Sequence, residues 1–201
     1  WPSGTKQIIS NLPANLTYRI KEKSSSKKRE IKVDPMFVED KGSLSKIVHQ
    51  EKIYDDFKRE NLLPNKLSQL GSGVSWGDVD GDGDDDIFVG GSKGFPSKLY
   101  INKGKQKFEN KFQPVFINDS KYEDMGSVFF DPDRDGDLDL FVVSGGVECE
   151  PGDPILQDRL YINDGNGNFG RAAEGLIPKL YESGSVVSVA DINQDGRDDL
   201  F

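Results

Sequence analysis

The stretch Asp78-Val-Asp-Gly-Asp-Gly-Asp-Asp-Asp86 recurs twice, as Asp131-Pro-Asp-Arg-Asp-Gly-Asp-Leu-Asp139 and as Asp191-Ile-Asn-Gln-Asp-Gly-Arg-Asp-Asp199. The three windows start 53 and 60 residues apart. A second landmark follows at a distance: Leu99-Tyr-Ile-Asn102 and Phe108 lie after the first window, and Leu160-Tyr-Ile-Asn163 and Phe169 after the second, with Leu99 and Leu160 21 and 29 residues on from the window starts. A period of 53–60 residues with two matched landmarks is the signature of a repeat architecture.

Short β-branched or aromatic runs flank each window. Val74–Gly77, Val128–Phe130 and Val186–Ala190 precede the windows; Ile87–Val89, Leu140–Val143 and Leu200-Phe201 follow them. Such runs, bounded by Gly and Asp turns, read as strands. The Leu-Tyr-Ile-Asn segment adds a third strand, and Phe108 and Phe169 open a fourth. Each repeat is therefore expected to be four short antiparallel strands, a β-propeller blade. The fold class is all-β. The expected organisation is a first blade over 71–125, a second over 126–183 and the start of a third over 184–201. Because a propeller needs at least about four blades, this stretch is an incomplete one.

Side-chain chemistry gives the windows a role. Positions 1, 3 and 5 hold Asp78, Asp80 and Asp82, then Asp131, Asp133 and Asp135, then Asp191, Asn193 and Asp195. Position 6 is Gly83, Gly136 or Gly196, and position 9 is Asp86, Asp139 or Asp199. Alternate oxygens converge when such a loop coils, and glycine permits the sharp turn. Two carboxylates 4 Å apart repel by about 4 kcal/mol at an effective dielectric of 20. A loop that gathers several of them needs a divalent cation or must splay open. Position 7 (Asp84, Asp137, Arg197) varies, as expected of a residue that offers only its backbone carbonyl. Ca²⁺ takes six to eight oxygens, while Mg²⁺ keeps more water and Zn²⁺ prefers His and Cys. Two or three Ca²⁺ are expected, with a structural role at the turn between the first two strands. Position 12 is Val89 or Val142, inside a strand, so the loop is not an EF-hand, which needs Glu there.

The pattern D-x-[DN]-x-[DN]-G-x-x-D before an apolar strand resembles the FG-GAP (VCBS-type) repeat, the blade of integrin-α-like β-propellers. The resemblance spans 71–201 and implies calcium held at the positions just named, with Asn193 and Arg197 as departures at the third site. Residues 1–22, with Trp1-Pro-Ser-Gly4 and Asn11-Leu-Pro-Ala-Asn15, resemble the end of an ASPIC/UnbV domain, which implies a large bacterial surface or secreted parent. Calcium modules of weak affinity belong to calcium-rich compartments, so an extracellular, cell-surface or periplasmic location is expected.

Composition narrows the partners. The net charge is −9 over 201 residues. Residues 1–32 carry eight Lys/Arg against two Glu, a net +6, which leaves −15 for the remainder. An acidic chain without a basic face is a poor nucleic-acid ligand, and the basic run 23–32 reads as a linker. Apolar runs as short as Leu140–Val143 cannot span a membrane, which takes about 20 residues. The chain opens without Met and ends in strand-like sequence, so it is expected to be a piece of a larger protein.

Other candidates carry less. Cys149 is the only cysteine and His49 the only histidine, which gives no intrachain disulfide and no convincing dyad. No G-x-S-x-G or H-E-x-x-H motif occurs. The expected function is a non-catalytic module for adhesion, or for binding a protein or glycan; the alternative is the propeller part of a polysaccharide-active enzyme. Segment 33–70 is expected to pack on the first blade through Tyr54, Phe57, Leu62, Leu63 and Leu67. Trp76 and Phe129 are expected in the blade core. The extra residues at 144–154 are where a propeller places binding function.

Overall fold

The computed structural model describes residues 1, 6–22, 36–37, 39, 42, 44–105 and 107–201. The chain falls into two units, Trp1–Glu39 and Asp40–Phe201. In the first unit the described residues form neither helix nor strand. Ile8, Leu12 and Leu16 are exposed there, and the Tyr18 hydroxyl donates to the Pro13 carbonyl. The expected basic linker, 23–32, lies outside the described residues.

The second unit is built on the repeats. Strands β1 (Val74–Gly77), β2 (Asp86–Val89), β3 (Lys98–Asn102) and β4 (Phe108–Lys111) pair in chain order into an antiparallel sheet. Strands β5 (Asp124–Phe130), β6 (Asp139–Ser144), β7 (Arg159–Asn163) and β8 (Phe169–Arg171) do the same. A two-stranded hairpin, β9 (Val189–Ala190) with β10 (Asp199–Leu200), begins a third sheet. Short helices α1 (Asp56–Arg59) and α2 (Pro114–Asn118) lie outside the sheets. Among the described residues no helix is long and apolar enough to cross a membrane.

Strand alternation sorts the side chains into layers. Phe88, Leu99 and Ile101 of the first sheet meet Leu140, Val142, Tyr161 and Phe169 of the second, with Phe116 of α2 between them. The opposite face of the second sheet, with Phe130, Phe141, Val143 and Leu160, packs on Val187 and Val189. Both faces of the second sheet are thus covered, and every residue of β6 is buried. Each large apolar side chain so buried contributes about 1.5–3 kcal/mol. Where the innermost strands meet, a Cβ on Gly73 would stand 2.8 Å from the Gly126 Cα, so only glycine allows the approach. The Ser75 and Ser127 hydroxyls hydrogen-bond across the same seam at 2.5 Å.

Phe129 packs in this interlayer as expected, but Trp76 does not. The indole is 51% exposed and meets Phe108 edge-to-face. The reason lies in the parity of β1: Ser75 and Gly77 point at the second sheet, so Val74 and Trp76 point away from it, to a side where no further sheet stacks among the described residues. The lead-in segment also differs from expectation. Leu62 is 97% exposed and Phe57 is exposed as well, while Tyr54, Leu63 and Leu67 are half-buried. Ile47 provides the apolar anchor instead, and polar contacts fasten the rest: the Gly90 carbonyl lies 3.1 Å from His49 Nδ1, and Ser92 Oγ donates to the Gln50 carbonyl at 2.7 Å.

At the ends of the sheets away from the acidic turns, a charged network is sealed between the layers. Arg159, 1% exposed, donates to Asp124 and to the Tyr161 hydroxyl. Tyr161 donates to Asp119, which also accepts from Arg171. The Arg159 guanidinium lies 4.3 Å from the Tyr122 ring centre. Removing one partner strands a buried charge. Arg159→Met is therefore expected to cost about 3–5 kcal/mol, read as a lower urea midpoint at unchanged slope.

Candidate metal centre

Each acidic window forms the turn between the first two strands of its sheet: β1 to β2, β5 to β6, β9 to β10. The position-1 carboxylate nucleates the turn by accepting backbone N–H groups. Asp78 accepts from Gly81, Asp82 and Gly83; Asp131 from Arg134 and Gly136; Asp191 from Asp195 and Gly196. The position-5 carboxylate accepts the position-7 N–H in all three turns, Asp82 from Asp84 at 3.0 Å, Asp135 from Asp137 at 3.2 Å and Asp195 from Arg197 at 2.9 Å. Position-6 glycines have φ of +90° (Gly83), +97° (Gly136) and +78° (Gly196), a left-handed backbone that side chains disfavour.

This geometry gathers acids. Carboxylate oxygens of Asp78, Asp80 and Asp86 lie within 4.8 Å of one another, and so do those of Asp131, Asp133 and Asp135. Among the described residues the third turn forms no such group. There Asn193 replaces an acid and its amide donates to Asp195 at 3.2 Å. Asp82, Asp84, Asp137 and Asp139 stand in the same two turns but outside the gathered triads. Asp191, Asp195, Asp199 and Arg197 belong to the third.

The position-9 aspartates are the most deeply set, Asp86 at 0% and Asp139 at 1% exposure. Each begins the second strand and is fastened by the asparagine that ends the third. The Asn102 N–H donates to Asp86 at 2.7 Å and the Asn163 N–H to Asp139 at 2.8 Å. The Asn163 side chain also donates to the Val79 carbonyl of the first turn, tying one sheet's turn to the next sheet. In sequence these asparagines are only landmarks of the repeat; the structure makes them the donors that hold the position-9 carboxylates. The signal in the sequence is their common place at the end of the repeated Leu-Tyr-Ile-Asn run.

Oxygen atoms without hydrogen-bond partners mark where a cation fits. Asp80 Oδ1, Asp137 Oδ1 and Asp139 Oδ2 are buried and receive no hydrogen bond from the described residues. Buried, unpaired carboxylate oxygens are costly unless a cation meets them. The donor set is all oxygen, the preference of Ca²⁺ and Mg²⁺ rather than Zn²⁺. The carboxyl chemistry agrees. Burial pushes Asp139 up to about 6, reinforced by Asp133, Asp135 and Asp137. A hydrogen bond with Asp135 pushes Asp137 up to about 6 while Asp135 itself falls. Burial also raises Asp86.

A family model of the FG-GAP-like repeat matches residues 78–142 and again 133–201. The chain belongs to the FG-GAP repeat family. Each matched FG-GAP repeat starts in one acidic turn and ends on the strand that follows the next. FG-GAP repeats often bind Ca²⁺ and are generally non-catalytic binding modules. No curated protein matches the chain significantly.

The inserted segment 144–154 lies at the other end of the second sheet. Arg59 donates to the carbonyls of Val147 and Cys149 at 2.9 and 2.8 Å, and Lys93 to that of Glu148 at 3.2 Å. The segment walls an open cleft of about 680 Å³ with Arg59, Tyr181 and Glu182. Burial pushes the Cys149 thiol up, which makes it a weak nucleophile.

The raised carboxyls set a pH dependence. Asp137 and Asp139 titrate near 6 when folded and near 3.8 when unfolded, and Glu123 is likewise raised from 4.5 to about 7. In this window the folded state holds more protons, so stability rises as pH falls. Lowered groups such as Asp164 and Glu109 act only below this window. Metal-stripped chain is therefore expected to melt at a higher temperature at pH 5.5 than at pH 7.5. With saturating calcium the trend reverses, because protons compete for the ligands.

Proposed function

We propose that this chain is a calcium-stabilised, non-catalytic binding module, part of a β-propeller in a bacterial surface or secreted protein, with a protein or glycan as its ligand. The observation that carries it is the buried, unpartnered Asp139 Oδ2 beside the gathered carboxylates of Asp131, Asp133 and Asp135. In this reading Asp78, Asp80, Asp82 and Asp86 hold one ion, with Asp131, Asp133, Asp135 and Asp139 holding a second. The backbone carbonyls of Asp84 and Asp137 complete the shells. Asp191, Asn193, Asp195 and Asp199, with the Arg197 carbonyl, form a third, weaker site. The ion neutralises the turn and locks the first two strands of each sheet together; it performs no chemistry. The tethered segment 144–154 and its cleft offer the ligand surface. The resemblance of residues 1–22 to an ASPIC/UnbV tail supports the bacterial, exported setting.

Thermal unfolding of metal-stripped chain, with and without Ca²⁺, tests this. A site at 100 times its Kd adds about 2.7 kcal/mol, and 1 kcal/mol shifts a domain of this size by about 2–4 °C. A rise of at least several degrees is expected, reduced by Asp80→Ala or Asp133→Ala. An unchanged midpoint up to 10 mM Ca²⁺ (~100 times a Kd of 10⁻⁴ M) rejects the proposal.

A further inference from the structure

Taking the acidic turns as calcium sites, we propose that the second turn is the tight site, that the first is a weaker one already held in shape by its own chain, and that Pro132 sets the difference. The three turns share a fold but not a set of hydrogen-bond donors. In the first, the Val79 N–H donates to Asp86 Oδ2 at 3.0 Å, and Asn102 supplies Oδ1. In the third, the Ile192 N–H donates to Asp199 Oδ2 at 3.0 Å. The equivalent residue in the second is Pro132, and proline has no N–H to give. Asn163 satisfies Asp139 Oδ1, and Oδ2 is left without a partner at a residue 1% exposed.

A second difference acts in the same direction. Lys103, which follows Asn102, places its ammonium 3.4 Å from Asp80 Oδ2 and offsets part of the first turn's charge. The residue that follows Asn163 is Asp164, an acid. Its carboxylate serves the N–H groups of Asn166 and Asn168, and Arg134, the cation within the second turn, forms no ion pair with the turn's acids among the described residues. The metal-free cost of gathering carboxylates is thus partly met by the chain in the first turn and left standing in the second. A cation relieves that cost on binding and gains more affinity where more of it remains.

Calorimetric titration of the metal-free full chain with CaCl₂, with ions counted by native mass spectrometry, tests this. Wild-type chain is expected to show the second turn's site about tenfold or more tighter than the first turn's, with any binding at the third turn weaker still. Pro132→Val, which installs the residue the first turn carries, is expected to weaken the tight site by about tenfold and leave the weak one unchanged. Asp131→Ala should abolish the tight site and Asp78→Ala the weak one. Lys103→Asp, an exposed change, should tighten the weak site by about threefold. Circular dichroism checks that each variant folds; if Asp131→Ala does not, the Pro132→Val titration decides alone. Equal affinities in the wild type, or a tight constant unmoved by Pro132→Val while two ions still bind, overturn the proposal. A wild-type chain that binds no calcium overturns the calcium reading beneath it as well.

Discussion

A carboxylate buried at the root of the second strand holds each sheet in register. Asp86 and Asp139 sit where the acidic turn becomes a strand, out of water, and each accepts the backbone N–H of the asparagine that ends the third strand. One side chain thereby fixes the turn, the strand and the strand beside it. The constraint is strong because a buried carboxylate must find donors or a cation. Given that anchor, the alternation of β2 and β6 sends Phe88, Leu140 and Val142 to one interlayer and Phe141 and Val143 to the other. The stack of sheets then follows from side-chain parity.

The acids that the anchor brings together oppose folding until something neutralises them. Stability is therefore divided between an apolar stack, which is indifferent to ions, and a rim of turns, which is not. The sealed network of Arg159, Asp124, Tyr161 and Asp119 marks the far ends of the sheets. It satisfies its charges entirely within the protein, whereas the acidic rim leaves oxygens unpaired. The two ends of the same sheets thus solve the problem of buried charge in opposite ways.

Much of this was legible in the sequence, because the period, the glycines and the strand alternation are local signals. Strands β1 to β4 and β5 to β8 lie where Val74, Ile87, Leu99, Phe108 and their counterparts predict. What was not legible depends on pairing through space. Trp76 resembles a core residue by composition, and only the parity of β1 reveals that it points away from the second sheet. Leu62 is apolar but 97% exposed, while the segment attaches through Ile47, His49 and the Gln50 carbonyl. The Arg159–Asp124 pair joins residues 35 apart with no motif to announce it. Among the site residues, the position-1 and position-5 aspartates act as their spacing suggests. The part played by Asn102 and Asn163 required the third strand to be laid beside the second.

The family repeat is out of phase with the sheets. Residues 78–142 run from the turn of the first sheet to the second strand of the next. A duplication or loss of one period from acidic turn to acidic turn, residues 78–130, during recombination cuts both sheets at the same point, so the outer strands of one join the inner strand of the other. The product is still a set of whole four-stranded sheets, each with its own turn and its own asparagine. Lengthening such an array by genetic exchange therefore leaves no half-built layer to repair, and the junctions fall in turns rather than in the stacked apolar faces.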